Sequence, residues 1–481
     1  MNVRFVAQML SLVVLAIGAG ILASAAVAAL YGGDDLVALL TAAGVSFAVG
    51  IPLHYGSRLP GRTNIGYREG FLVVGAGWLT AMVFGALPFL FYGMFGVVDS
   101  LFETMSGFTT TGASVLVDYD QPHGIMFWRS LTHWYGGMGI IVLFIALLPP
   151  LGGGAIRLFS AEAPGPVSER LTPRIKDTAR GLWYIYVGVS AVEVLALMAA
   201  GMSLYDAATH TFGTMATGGF SPRATSIAAY DSWAIEAIIT FFMVVAGGNF
   251  ALYFAFAQGD RLKIWRDPEF RLYLSILAGS IALVTLSLVL AGSHAGGIQA
   301  FREALFQVVS IQSTTGYVTA DFDQWNTFAK TVLVMLMFVG GSAGSTAGGF
   351  KVVRILLLAK NARHDLMRQV HPTAVLPVKV AGRVVPDAMR TAVLGYFFLY
   401  VLVFAAGVLL VSIAGSDIVT STTAVVATLN NIGPGLELVG PVQNYALIAP
   451  FGKVVLIGLM VMGRLELIPI LLLFTRGFWR R

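Results

Sequence analysis

The chain has 481 residues, 57% of them hydrophobic and only 11% charged, with a mean hydropathy of +0.79. A chain this apolar cannot clothe a water-soluble globule in polar surface, so composition excludes that class and predicts an all-α integral membrane protein. The formal net charge of +5 does not point to nucleic acid, because the basic residues gather between apolar runs, and zero cysteines exclude disulfides, thiolate catalysis and Cys-ligated metals.

Ten apolar runs are long enough to cross a hydrocarbon core of ~30 Å. They lie near residues 5–31, 36–53, 70–95, 125–150, 181–202, 233–257, 272–292, 328–360, 391–414 and 447–475. The first follows a start carrying only Arg4 and has no small-residue cleavage site before a polar stretch, so it reads as a retained helix. Basic residues cluster in alternate connections: Arg58, Arg62 and Arg68; Arg157, Arg170, Arg174, Lys176 and Arg180; Arg261, Lys263, Arg266 and Arg271; Lys360 to Arg390; and the tail Arg476, Arg480 and Arg481. The positive-inside rule makes these cytoplasmic, with both termini inside. The opposite connections carry Asp34, Asp35, Asp118, Asp120, Asp231, Asp321, Asp323 and Glu437, and are expected outside.

Between the runs sit four shorter segments, about 98–110, 203–216, 299–314 and 416–431, each ending in a glycine turn. The turns read Thr109-Thr110-Thr111-Gly112, Met215-Ala216-Thr217-Gly218, Ser313-Thr314-Thr315-Gly316 and Asn430-Asn431-Ile432-Gly433, and recur roughly every 100 residues. That spacing is too long for a solenoid and suits a helix–pore loop–helix unit. A single Thr-Gly would read as a packing glycine; four at one offset, on one face, predict re-entrant segments around a central pore. The predicted architecture is an N-terminal two-helix hairpin (1–66) followed by four pseudo-symmetric repeats, 67–160, 161–262, 263–362 and 363–481.

The turns hold no carboxylate, His or Lys, so ligands for a passing ion are backbone carbonyls with a few hydroxyl and amide oxygens. Neutral hard oxygens suit a monovalent cation that must enter and leave. Helices that begin outside and end at the turns aim their C-terminal partial charges at the pore, which favours cations.

Two anomalies lie elsewhere. The run 328–360 contains Gly340-Gly341-Ser342-Ala343-Gly344-Ser345-Thr346-Ala347-Gly348-Gly349, whose glycines each cost a helix ~1 kcal/mol relative to Ala. A close-packed flexible helix is one reading; a break that places a loop beneath the turns is the other. Phe350-Lys351 in place of Gly-Lys-Ser/Thr excludes a phosphate-binding loop. Arg464, in the last apolar run, needs water or a partner: it either pairs with Glu466 or another carboxylate, or faces the pore against the Gly-rich loop. Lys351 either joins it or snorkels to the inner interface. Glu103, Glu193 and Glu303 read as scaffold or cation-attracting carboxyls, and the seven histidines show no metal-ligand spacing.

The stretches beginning Ser106-Gly-Phe-Thr, Phe212-Gly-Thr-Met, Ser310-Ile-Gln-Ser and Thr428-Leu-Asn-Asn resemble the four pore loops of the Trk/Ktr/HKT superfamily of potassium transport proteins. The resemblance spans residues 70–481 and extends to His133-Trp-Tyr-Gly-Gly-Met-Gly-Ile, to Gly340–Gly349 and to Met462-Gly-Arg-Leu-Glu. With the extra N-terminal hairpin it is most similar to the bacterial Trk branch. It implies a potassium filter formed by Thr110, Thr111, Gly112, Ala216, Thr217, Gly218, Thr314, Thr315, Gly316, Asn431, Ile432 and Gly433. Glycine at position 112, where sodium-preferring plant members carry serine, goes with potassium. It further implies a gate made of the Gly340–Gly349 loop with Lys351 and Arg464, a bacterial inner-membrane location, a homodimer among membrane lipids, and a separate cytosolic nucleotide-binding ring of the TrkA type. Potassium is then cargo, with no cofactor held by the chain. No βαβ pattern or dinucleotide fingerprint appears, so any nucleotide sensor lies on a partner.

A proton- or sodium-coupled symporter, with Glu193 or Glu103 in the coupling path, stays open beside the channel-like reading. An enzyme is not expected, since no paired catalytic carboxylates, Cys or Ser-His-Asp set occurs.

Overall fold

The computed structural model describes residues 1–58, 67–146, 175–292, 296–374 and 376–480. The expected domain boundaries at 66/67 and 160/161, the end of the apolar run 125–150, the basic residues Arg62, Arg157, Arg170 and Arg174, and His294 lie outside the described residues.

Among the described residues, six helices are long and apolar enough to cross a membrane: Val3–Tyr31, Leu36–Gly56, Arg68–Tyr92, Gly181–Ala199, Pro268–Leu290 and Asp387–Ile413. The bent pair Trp233–Ala246 and Phe250–Ala257 makes a seventh if counted as one. The first two, α1 (Val3–Tyr31) and α2 (Leu36–Gly56), form the N-terminal hairpin. The inner face of α1 is lined with Gly18, Gly20, Ser24, Ala25 and Ala28, which lets its backbone approach α2, α3 (Tyr67–Gly85) and α6 (His123–Ala146). Two short helices, α4 (Leu87–Tyr92) and α5 (Val97–Phe108), lie between α3 and α6.

Two runs expected to be continuous are broken, and the cause is local backbone chemistry. The run 233–257 splits into α9 (Trp233–Ala246) and α10 (Phe250–Ala257), bent by 95° at Gly247-Gly248-Asn249, where the Asn249 side chain accepts from the Ala251 amide and caps the second piece. The run 447–475 splits into α17 (Pro450–Arg464) and α18 (Ile468–Leu473), with Glu466 and Leu467 left-handed at φ 58° and 59°. The glycine-rich run breaks as expected: α13 (Thr327–Met337) stops, and α14 (Val352–Val370) starts after the loop. One departure from an all-helical chain is a two-stranded hairpin, Lys379–Val380 against Arg383–Val384, before α15 (Asp387–Ile413).

The four short segments are half-helices: α5, α8 (Leu204–Ala216), α12 (Gly297–Gln312) and α16 (Ile418–Leu429). Nearly every residue in their last two turns is buried, because protein surrounds them on all sides. The helix that follows each one packs against it and also against the next half-helix: α6 touches α5 and α8, α9 touches α8 and α12, α13 touches α12 and α16, and α17 touches α16 and α5. The set closes on itself. The long helices α7 (Ile175–Ala199), α11 (Pro268–Leu290) and α15 contact α8, α12 and α16 respectively.

Candidate functional site

All four half-helices end in the same way. The amide of Thr110, Thr217, Thr314 or Asn431 reaches back three residues, and the next amide reaches back five, to Ser106, Gly213, Ser310 or Ala427. This is the hydrogen-bond pattern of a Schellman C-cap. The capping residue usually is glycine, yet here it is Thr110, Thr217, Thr314 and Asn431, left-handed at φ 54–58°. Two residues on, a glycine is again left-handed: Gly112 (φ 79°), Gly219 (φ 82°), Gly316 (φ 78°) and Gly433 (φ 103°).

That repeat corrects the register expected in the second turn. The counterparts of Thr110-Thr111-Gly112 are Thr217-Gly218-Gly219, one residue later than Ala216-Thr217-Gly218, and Ala216 aligns instead with Thr109. Two adjacent glycines hid the offset, and the left-handed conformation at Gly219 decides it. Gly112, Gly219, Gly316 and Gly433 line one cavity of about 190 Å³, and Gly218 is not among its lining residues.

The turns touch edge to edge around the ring. A β-carbon added at Gly112 would run into the Gly218 carbonyl oxygen; at Gly219, into that of Thr315; at Gly316, into that of Ile432. At Gly433 it would lie 2.8 Å from the Thr111 carbonyl oxygen, which closes the circuit. Each glycine is thus required twice, for its positive φ and for the close approach of the neighbouring backbone. Among the side chains, Asn431 donates to Thr111 Oγ1 at 2.9 Å, Tyr445 donates its hydroxyl to the Gly433 carbonyl at 2.7 Å, and Thr110 Oγ1 is buried without a hydrogen-bond partner.

Charged side chains far apart in the chain are brought together around this cavity. Glu103, in the first half-helix, accepts from Arg129 Nε at 2.6 Å, Ser114 Oγ at 2.8 Å and the Val115 amide at 2.8 Å. Arg129 donates onward to the Ser221 carbonyl at 3.0 Å and to Ser114 Oγ at 3.0 Å, and lies over the Phe220 ring at 3.6 Å, linking the extended segments that leave turns one and two. Arg223 is neutralised by Asp206 at 2.8 Å. The ion pair 103/129 joins residues 26 apart on separate elements, so no local spacing announced it. Glu303 is partly buried and accepts from Gln299 at 2.8 Å; Glu193 is fully buried, with neither carboxyl oxygen hydrogen-bonded. Asp321, Asp323 and Glu437, expected in outer connections, share a second cavity of about 310 Å³ with Gln443.

Residues 340–349 form a loop directly against the turns. Thr346 Oγ1 donates to the Met215 carbonyl at 3.0 Å, and Thr314 Oγ1 accepts from the Gly348 amide at 2.7 Å. A β-carbon at Gly348 would run into the Asn430 carbonyl oxygen. The ends of the loop are held by Glu269 Oε1, which accepts from the amides of Ala343 at 2.6 Å and Val353 at 3.2 Å, and by the Gly340 amide donating to Phe350 at 3.1 Å. Ser342 donates its amide to Gly247 at 2.9 Å, and Phe250 donates to Gly344 at 3.1 Å, so the break in α9/α10 receives the loop. Gly341, Ser345 and Gly349 lie inside this packing: a β-carbon at Gly341 would meet Ala347, and one at Gly349 would meet Gly340. Lys351 does not snorkel; its Nζ turns back to donate to the Ala347 carbonyl.

Arg464, 3% exposed, reaches the same loop. Its Nη1 donates to the Thr346 carbonyl at 2.7 Å and its Nη2 to the Gly136 carbonyl at 3.1 Å. The alternative pair with Glu466 does not form, because Glu466 turns to Arg354 at 2.5 Å.

A sequence model of the TrkH family, described as cation transport proteins, matches residues 42–479. The chain belongs to this family. It is 42% identical over 441 residues to the Trk system potassium uptake protein TrkH of Escherichia coli K12, covering 91% of each chain. It is 38% identical over 486 residues to the protein of the same name from Halomonas elongata, covering 100% of each. The crystal structure of the potassium transporter TrkH from Vibrio parahaemolyticus superposes with a TM-score of 0.91 at 38% identity, covering 100% of both chains. The TrkH family assignment and the apolar helices make the chain a multi-pass membrane protein.

Proposed function

We propose that this TrkH-family chain carries potassium inward across the bacterial inner membrane, along a path whose narrowest selective part is the ring of four turns. The observation that carries the reading is the closed circuit of backbone contacts among Gly112, Gly219, Gly316 and Gly433, which line one cavity and bring four sets of main-chain oxygens into mutual contact around it. The relatives named for potassium uptake support the choice of ion. Potassium exchanges its hydration shell for carbonyls of the four turns, with hydroxyls such as Thr110 Oγ1 in reserve. The four half-helix C-termini supply partial negative charge around it. An inside-negative potential drives inward movement, worth ~2.3 kcal/mol per unit charge per 100 mV.

In this reading the Gly340–Gly349 loop closes the path below the ring, and Lys351 and Arg464 hold it shut through the Ala347 and Thr346 carbonyls. The guanidinium adds an electrostatic barrier to cations. Opening requires an outside force on the loop, supplied by a cytosolic nucleotide-binding ring of the TrkA type acting on a homodimer. Ten membrane passages with both termini cytoplasmic complete the arrangement, the broken runs each counting as one passage.

One observation favours a second reading. The Glu193 carboxyl is buried with both oxygens unpaired, a place where a proton taken up or released would count, so coupled symport is the alternative. Flux measurements on purified protein in liposomes, with imposed potassium and sodium gradients and with or without a partner ring, separate the two. A current reversing at the potassium equilibrium potential supports the channel-like path; reversal that moves with the proton or sodium gradient supports coupling; absence of potassium flux rejects both.

A further inference from the structure

The four turns are not braced alike. In turns one and three a pair of hydroxyls two residues apart stiffens the backbone from behind: Thr109 Oγ1 lies 2.8 Å from Thr111 Oγ1, and Ser313 Oγ lies 2.8 Å from Thr315 Oγ1. In turn four Tyr445 holds the Gly433 carbonyl. Turn two has Ala216 and Gly218 at the two hydroxyl positions and can make no such pair.

The space is filled by a side chain from another element. A β-carbon at Gly218 would lie 2.5 Å from Cγ and Nδ1 of His133, on α6, whose ring is fully buried. His133 Nε2 accepts from the Phe220 amide at 3.1 Å, so the ring's proton sits on Nδ1, which donates to the Gly107 carbonyl at 2.8 Å. The ring stands 4.0 Å from the Phe220 ring. One neutral imidazole therefore ties the end of the first half-helix to the segment leaving turn two, on either side of the Gly112–Gly218 contact.

We propose that His133 is the positioning residue that stands in for the missing hydroxyl pair of turn two and sets the geometry on which discrimination between potassium and sodium depends. The inference rests on the filter reading above. Glycine at 218 then has a cause: any side chain there would displace the brace.

The test is the potassium-to-sodium permeability ratio of the full-length protein in liposomes, read beside its thermal unfolding midpoint. His133→Phe keeps a ring of similar size and loses both hydrogen bonds; the ratio is expected to fall about fivefold, the worth of one ordinary hydrogen bond. His133→Gln, which offers one donor and one acceptor, is expected to recover most of it. A second rescue is independent: His133→Ala combined with Ala216→Thr and Gly218→Thr installs the hydroxyl pair of turn one in the vacated space, and should be more selective than His133→Ala alone. An unchanged ratio in His133→Phe overturns the proposal, as does a loss that neither Gln nor the hydroxyl pair repairs, which would assign His133 to packing only. Lack of potassium preference in the unaltered protein instead rejects the filter reading, and the role of His133 in selectivity with it.

Discussion

Arg464 Nη1 donates to the main-chain oxygen of Thr346 at 2.7 Å, and these two residues stand 118 positions apart, at the end of α17 and in the middle of the glycine-rich loop. Among the described residues no carboxylate lies within ion-pair distance of this guanidinium. A buried guanidinium whose Nη1 and Nη2 donate to carbonyls, while its Nε has no hydrogen-bond partner, is held in place by a loop that, in turn, it holds.

Replacing Arg464 by Ala removes two charge-assisted hydrogen bonds, of which the one to the loop is worth ~1.5–3 kcal/mol, and should raise basal potassium flux by roughly tenfold or more without a partner. Flux assayed in liposomes at matched protein content reports this. A lowered flux with intact protein counts against the loop as a gate.

The hydroxyl of Thr314 ties the loop to the ring through the Gly348 amide at 2.7 Å. Thr314→Val keeps the side-chain shape but leaves that amide without its acceptor, at ~1–3 kcal/mol. Basal flux should rise, and the effect should be smaller than that of Arg464→Ala, which also frees Gly136. Equal permeation in Thr314→Val and the unaltered protein would show that the contact does not restrain the loop.

Gly112→Ser and Gly219→Ser each place a side chain at positive φ against a neighbouring carbonyl. Both should erode the potassium-to-sodium permeability ratio while the protein still inserts and purifies as a folded species. Permeability ratios that do not move would remove the filter assignment.

Glu103 and Arg129 form a buried ion pair, with side chains 0% and 2% exposed. Glu103→Gln leaves the guanidinium uncompensated and should cost ~3–5 kcal/mol, seen as a lower unfolding midpoint. Adding Arg129→Met in that background should recover part of the loss, since no uncompensated charge then stays buried. A midpoint unchanged by Glu103→Gln would contradict the pairing.

Much of the site was readable because its parts are local. Half-helices that end in a glycine turn leave a signature within about 15 residues, and the segments expected at 98–110, 203–216, 299–314 and 416–431 coincide with α5, α8, α12 and α16 to within two residues at most ends. The break at Gly340–Gly349 was equally legible, since five glycines in ten residues oppose a helix wherever they occur. What stayed hidden depends on partners far along the chain: Arg129 for Glu103, Thr346 and Gly136 for Arg464, and Phe220 and Gly107 for His133. The bends at Gly247–Asn249 and at Glu466-Leu467 also escaped, because hydropathy registers an apolar run and not its direction.

Composition and periodicity were enough to show that this chain lives in a membrane, that four similar turns recur along it, and that its charges lie mainly in the connections, because these are properties of short stretches. Which of two adjacent glycines, Gly218 or Gly219, belongs to the ring, and what the buried Arg464 and His133 hold, emerged from the folded chain. The reason is geometric. A left-handed φ and a carbonyl in van der Waals contact across the ring exist only once the four turns have met, and nothing within one turn distinguishes glycines that stand side by side.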